Sequence, residues 1–468
     1  MQLNTTLHCL DDPATESYVI PGAKVFERYF DCPLDYANSE DSKTIKVFVR
    51  HLVPIDKLQQ MKSLPFLLYL QGGPGFEVAF PGSAQSGWIK VAFDHGFQVL
   101  LLDQRGTGLS TPVSAASLES FKSDEEKVAY LTHFRADSIV RDCETIRLAL
   151  TDNRSINEEQ RISLLGQSFG GFCITTYLSL FPKSIHKAYI TGGVPPMVDN
   201  PDAVYRALYP RILKKNKLYY KKYPQDVAKV RRIYEYLWNN KIELPNGGTL
   251  SPRRFLQLGI LFGGSGGYDT LHDTVTLCIS DLDNINKFTY RTLNHIQQLQ
   301  SWDTNVIYCI LHEAIYCQNQ QASRWSAERI LNDEFSTEFE WRLDQLQSDQ
   351  PIHFTGETIY PFMLDDFAEL RPLATVAHQL AEHKWSALYD IPTLNTLDSA
   401  DQKMELAGVS YFDDMYVDRE LSEYTASQIN GFQQYITNQY AHNGVRVDGD
   451  NILNYLIKLG RGDVAYDR

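Results

Sequence analysis

The stretch ISLLGQSFGGF at 162–172 decides how the rest of the chain is read. Its first residues, Ile162–Leu165, are apolar and suit a buried strand. They run into Gly-Gln-Ser-Phe-Gly at 166–170 and then into residues that can form a helix. A G-x-S-x-G string alone is common by chance. Between a strand and a helix it is the sharp turn that lifts a serine hydroxyl clear of a sheet. Ser168 is therefore the candidate nucleophile. Gly166 and Gly170 are expected because such a turn leaves no space for side chains beside it. The helix opening at Phe169 would aim its positive N-terminal end at the reacting centre.

Outward from this turn, short buried strands alternate with amphipathic stretches. Pro65–Leu70, Val99–Leu102, Ile162–Leu165 and Ala188–Thr191 read as buried strands, and Ile45–Val53 as a half-exposed one. Ser138–Leu150 carries Ile139, Cys143, Ile146 and Leu150 at helical spacing. Such alternation implies a mostly parallel sheet with helices on both faces. Two strands end in informative loops. FLLYLQGGPG at 66–75 closes in a glycine turn. Its N–H groups, with that of the residue after the nucleophile, would bind a developing oxyanion, so Gly73 and Phe169 are the expected donors. VLLLDQRGTGLS at 99–110 ends in Asp103 and Arg105, expected to form a structural pair shaping the loops near Ser168. The fold class is α/β, with the α/β-hydrolase arrangement.

That arrangement requires an acid and a base in the order Ser, Asp or Glu, His. His442, in NQYAHNG, is the single histidine after residue 383. The acid should follow the strand Leu406–Phe412, where the chain reads FDDMYVD, and both Asp413 and Asp414 qualify.

After Gly192-Gly193-Val194-Pro195-Pro196 the texture changes to helical periodicity rich in Tyr, Trp, Gln and charge. The expected organisation is a core from 1 to 196, a helical cap insertion from 197 to 385, and the rest of the core from 386 to 468. Lys214–Tyr223 reads as a solvated helix face, and FGGSGGYD at 262–269 as a flexible loop without a phosphate-loop ending. An amphipathic helix is expected at Asn451–Leu459. The net charge of −14 argues against nucleic acid and anionic membranes as partners. The chain has no run of about 18 apolar residues, so no membrane span is expected. The N-terminus lacks a signal-peptide pattern, and the seven scattered cysteines contain no C-x-x-C pair. These features point to a cytoplasmic protein, with the sequons at Asn4 and Asn153 and the RGD string at 461–463 as chance matches. His312-Glu313 is not followed by the second histidine of an H-E-x-x-H motif, and no metal or other cofactor is expected.

The motifs together resemble the prolyl aminopeptidases (proline iminopeptidases). In that family a strand ends in H-G-G-P-G, followed by D-Q-R-G-x-G-x-S and G-x-S-W-G-G. Here these read QGGPG at 71–75, DQRGTGLS at 103–110 and GQSFGG at 166–171. FDCPLDY at 30–36 and FRADSIVRDCETIR at 134–147 extend the likeness over about residues 20–200, and it returns over 350–456. Gln71 replaces the family's histidine. Phe169 replaces its tryptophan, which bears on how a substrate ring would pack. The family's acid turn, G-R-Y-D-x-x-C-P, becomes SYFDDMYVD, whose register favours Asp414 over Asp413.

The resemblance implies release of one N-terminal residue, preferably proline, from peptides with a free N-terminus. It also implies cap glutamates that hold the α-amine. Glu357 in FTGETIYPF is the better match, Glu328 in RWSAERI is one position out of register, and Glu313 in LHEAIY is a rival. An esterase, amidase or tripeptidyl-type peptidase is the alternative on the same scaffold.

Overall fold

A computed structural model describes residues 15–39, 43–154, 156–346, 350–398 and 403–464. Cys9 and the sequon at Asn4 lie outside the described residues, as does Ser155 of the second sequon.

Nine strands form one sheet in the order β1-β2-β3-β5-β4-β6-β7-β8-β9. They are β1 Ser17–Ile20, β2 Ala23–Pro33, β3 Thr44–Pro54, β4 Phe66–Leu70, β5 Gln98–Asp103, β6 Ile162–Gln167, β7 Ile185–Thr191, β8 Glu405–Tyr411 and β9 Phe432–Thr437. The first three pair antiparallel and join the sheet through β3 and β5. Every later pairing is parallel.

The central strands β4, β5 and β6 are buried at every position because helices cover both faces. Alternation sorts their side chains. Leu68, Leu70, Leu100 and Leu102 pack in one core with Ile139 and Phe172, from helices Ala136–Thr151 and Phe169–Leu180. Leu67, Tyr69, Val99 and Leu101 pack in the other with Ile89 and Leu453, from helices Gly87–Asp94 and Gly449–Arg461. Between the end of β7 and the start of β8 the chain is largely helical, its longest helix being Asp202–Lys222.

Three local expectations need correction. Asp103 and Arg105 do not pair with each other. Arg105 binds Asp142 instead, at 2.5 Å from Nη2 to Oδ1 and 2.7 Å from Nε to Oδ2. It also donates to the carbonyls of Pro33, Leu34 and His133. Asp103 accepts from the N–H groups of Val78 and Leu109. Successive strand residues face opposite ways, but 105 already lies in the loop, and helix Ala136–Thr151 brings the counter-charge. Second, Lys214–Tyr223 is not wholly a solvated face: Asn216 and Tyr219 are fully buried, and Tyr220 donates to the Ile352 carbonyl. Third, 262–269 is no free loop. It joins a 3-10 turn, Gln257–Gly263, to helix Gly267–Ile285, and Gly263 packs against Tyr416.

Candidate active site

Strand register brings the site together. Leu70 lies opposite Gly166, Gln167 opposite Thr191, and Tyr411 opposite Thr437. The residues that follow β4, β6, β8 and β9 therefore emerge at one edge of the sheet. In an open parallel sheet this carboxyl end is where sites form.

Ser168 sits between β6 and helix Phe169–Leu180 with φ 54° and ψ −124°. A residue with a side chain adopts this conformation only when its surroundings impose it. The Ser168 N–H donates to the Thr191 carbonyl at 2.9 Å, and its own carbonyl accepts from Gly171 at 2.7 Å. Gly170 is required here, since a Cβ on it would fall 2.0 Å from the Leu70 carbonyl oxygen. The crowding that demands glycine thus comes from β4 as well as from the turn itself.

The Asp414 carboxylate is buried after β8. One oxygen, Oδ1, accepts from the Tyr416 N–H at 2.9 Å, and Oδ2 lies 2.7 Å from His442 Nδ1. Asp413 faces outward and pairs with Lys214 at 2.6 Å. Of the two carboxylates, only Asp414 meets the imidazole. His442 follows β9. Its backbone N–H donates to the Gly263 carbonyl at 3.1 Å, and the Tyr416 ring stands edge-on to its imidazole at 4.7 Å. Burial works against a charged imidazole, but the charge and hydrogen bond of Asp414 outweigh it, so the His442 pKa is raised.

Ser168 and His442 line a cavity of about 400 Å³ together with Gly72, Gly73, Phe76, Trp302, Tyr308, Glu357 and Tyr416. Gly72 presses on Ser168, since a Cβ there would sit 2.9 Å from Ser168 Cβ. Gly73 is the next residue along the same wall. Phe169 opens its helix, where first-turn N–H groups have no intrahelical acceptor. Its ring is not where the expectation put it. It is buried against Phe172 rather than lining the cavity, whose aromatic wall is Phe76, Trp302, Tyr308 and Tyr416. Gln71 accepts from the Gly72 N–H and from Tyr69, bracing the glycine loop that follows β4.

The three candidate glutamates part company. Glu357 lines the cavity and accepts from the Tyr308 hydroxyl at 2.8 Å. Burial pushes its pKa up to about 7, against the lowering pull of His442 and the Tyr308 bond. Glu328 does not reach the cavity. It pairs with Arg253 at 2.7 Å, and its register on helix Ser326–Glu334 points it at that guanidinium. Glu313 does not reach it either. Its two oxygens accept from the N–H groups of Ser326 and Ala327, which holds the start of the same helix. Sequence reasoning passed over Tyr308, Tyr416 and Arg446. Tyr416 follows the acid by two residues and Arg446 the histidine by four, which was the available signal.

The fold and this constellation are those of an α/β-hydrolase, and residues 65–233 match the model of the alpha/beta hydrolase fold. The chain is 42% identical over 445 residues to a proline iminopeptidase of Aeromonas sobria, covering 95% of this chain and 98% of that one. It is 35% identical over 441 residues to the proline iminopeptidase aneH of Aspergillus aculeatus, covering 94% of each. A tripeptidyl aminopeptidase of Streptomyces coelicolor is 25% identical over 203 residues, covering 36% of this chain and 35% of its own. The chain belongs to the proline iminopeptidase family.

Among the described residues no group of three or more His, Cys, Asp or Glu could hold a metal ion, and no helix is long and apolar enough to cross a membrane.

Proposed function

We propose that this protein is a serine aminopeptidase that releases an N-terminal residue, preferentially proline, from peptides. Ser168 attacks the carbonyl of that residue while His442 takes its proton, and Asp414 orients the imidazole and stabilises its charged form. The N–H groups of Gly73 and Phe169 bind the oxyanion, each contributing about 3–4 kcal/mol in comparable sites. His442 then protonates the leaving amine, and water releases the acyl group.

The observation that carries this reading is Glu357, a carboxylate in the same aromatic cavity as Ser168 and His442. A buried cation must be paired, so the carboxylate suits the protonated α-amine of a substrate whose chain stops there. Phe76, Trp302, Tyr308 and Tyr416 suit a compact apolar ring beside it. Residues 197–385 act as the cap that closes this end. Among the described residues six cysteines are unpaired and buried, which suits a reducing cytoplasm.

The test compares Pro-, Ala- and acetyl-Pro-naphthylamide on the wild type and on Ser168→Ala. The expected order is Pro above Ala, no hydrolysis of the acetylated substrate, and a loss of several orders of magnitude in a well-folded Ser168→Ala. Equal rates on free and acetylated substrates would overturn the aminopeptidase reading in favour of an esterase or amidase.

A further inference from the structure

Arg446 lines the same cavity as Ser168 and Glu357, yet it is exposed to solvent. Its Nη2 donates to the side-chain oxygens of Gln71 at 3.2 Å and Gln167 at 3.1 Å. Both acceptors are neutral amides. Among the described residues no carboxylate lies within 4.0 Å of the guanidinium. The two glutamines flank the reacting centre, Gln167 preceding Ser168 and Gln71 preceding the oxyanion loop. A Cβ on Gly72 would lie 2.9 Å from Ser168 Cβ and 3.1 Å from Gln167 Oε1, so the amide that anchors Arg446 stands beside the nucleophile.

The cavity is lined unevenly. Glu357 is half-buried and bonded to the buried Tyr308. The exposed lining residues, Glu77, Ala79, Ser301 and Arg446, mark the mouth. Resting on the aminopeptidase reading above, a substrate with its amine at Glu357 and its carbonyl at Ser168 must send its leaving group towards that mouth. The next carboxyl carbon along the chain is then one residue on, roughly 4 Å from the scissile carbonyl. In a dipeptide that group is a carboxylate, and in a longer peptide it is a neutral amide. A guanidinium held by two amides, with donors to spare, is the partner that recognises a carboxylate in two contacts. After the larger effects of burial and Asp414, His442 also feels both charges, Glu357 raising its pKa and Arg446 lowering it.

We propose that Arg446 binds the C-terminal carboxylate of the leaving residue, which makes the enzyme selective for dipeptides of the form Pro-X over longer or amidated substrates. Each added residue moves the carboxylate about 3.3 Å further out and loses the contact.

The experiment measures kcat/KM for Pro-Ala, Pro-Ala-amide and Pro-Ala-Ala-Ala on the wild type, Arg446→Gln and Arg446→Lys. The ratio of Pro-Ala to Pro-Ala-amide cancels any general effect on the triad. It is expected to be about tenfold or more in the wild type, near one in Arg446→Gln, and intermediate in Arg446→Lys. Pro-Ala-Ala-Ala is expected to behave like the amide. A wild-type ratio near one, with brisk turnover of both dipeptides, would overturn the carboxylate contact and leave the aminopeptidase reading standing. An unchanged ratio in Arg446→Gln would overturn it equally. Failure to cleave any free-amine substrate would remove the aminopeptidase reading and this inference with it. The wild-type comparison alone decides the matter if a variant does not fold.

Discussion

The Tyr308 hydroxyl donates to Glu357 Oε1 across 2.8 Å, tying together two segments 49 residues apart. The bond stabilises the ionised carboxyl, but it does not offset the burial, and the Glu357 pKa stands at about 7. Near neutrality the group is thus part protonated and part charged. An incoming ammonium would shift it to the charged form, because an opposite charge nearby favours ionisation.

The raised pKa has a cost in stability with a definite sign. Between an ordinary carboxyl value of 4.5 and about 7, the folded protein holds a proton at Glu357 that the unfolded chain has released. Stability from this group therefore falls as pH rises through that window. Glu357→Gln removes the penalty, so the variant should melt above the wild type at pH 8, with the gap shrinking at pH 5. The same variant should lower kcat/KM for Pro-naphthylamide about tenfold or more, through loss of a charge-assisted bond. Thermal melts at the two pH values, beside kinetics at pH 8, check both halves. A variant less stable than the wild type at pH 8 would mean that the carboxylate is not strained by burial.

The acid of the proposed triad turns on one residue of register. Asp414→Asn should lower kcat by roughly 10³–10⁴-fold, since it leaves the His442 Nδ1 contact without its charge. Asp413→Asn loses an exposed pair with Lys214, worth at most about 1 kcal/mol of stability, and should keep near-normal kcat. Steady-state rates on both variants settle the comparison, and a larger loss at Asp413 would contradict it.

The buried pair of Arg105 and Asp142 predicts a purely structural effect. Arg105 is 1% exposed and Asp142 also 1%, so removing one partner strands a charge away from water. Asp142→Ala should cost about 3–5 kcal/mol in urea unfolding. KM of the surviving folded enzyme should barely move, because neither residue lines the cavity.

What the sequence could and could not reveal follows from the range of the interactions. The turn around Ser168 is local: strand, glycines, serine and helix are contiguous, so its reading needs no tertiary information. The same holds for the glycine loop at 71–75, and chain order was enough to select His442. Arg105 was visible as a loop-shaping residue, but its partner lies 37 residues away on a helix, and no local pattern names it. The cap glutamates were harder still. Glu313, Glu328 and Glu357 all lie in apolar helical or loop contexts. Only the packed structure distinguishes a helix-holding carboxylate from one paired to Arg253 or one facing a cavity. The side chain of Phe169 was misassigned for a related reason. Phe169 follows Ser168 directly, yet its ring turns into the core against Phe172.

The glycine stretch at 262–269 offers the most local test of how the imidazole is held. The Gly263 carbonyl accepts from the His442 backbone N–H at 3.1 Å. A Cβ on Gly263 would fall 2.1 Å from Tyr416 Cζ, far inside contact distance and against a ring rather than a flexible chain end. That ring cannot simply yield. Its hydroxyl donates to the Ile260 carbonyl, its backbone N–H donates to Asp414 Oδ1, and its edge rests on His442. Gly263→Ala must therefore move either the Tyr416 ring or the segment carrying Gly263, and each route shifts a neighbour of the imidazole. Overpacking of this kind costs about 1–3 kcal/mol. A displacement near 1 Å beside reacting groups costs on the order of 10²-fold in rate. Gly264 supplies the control, because a Cβ there would meet its nearest atoms at 3.7 and 3.8 Å, an ordinary contact. The expected result is a large fall in kcat with a modest fall in melting temperature for Gly263→Ala, and small changes in both for Gly264→Ala. Equal kinetics for the two variants would show that Tyr416 is free to move without disturbing His442.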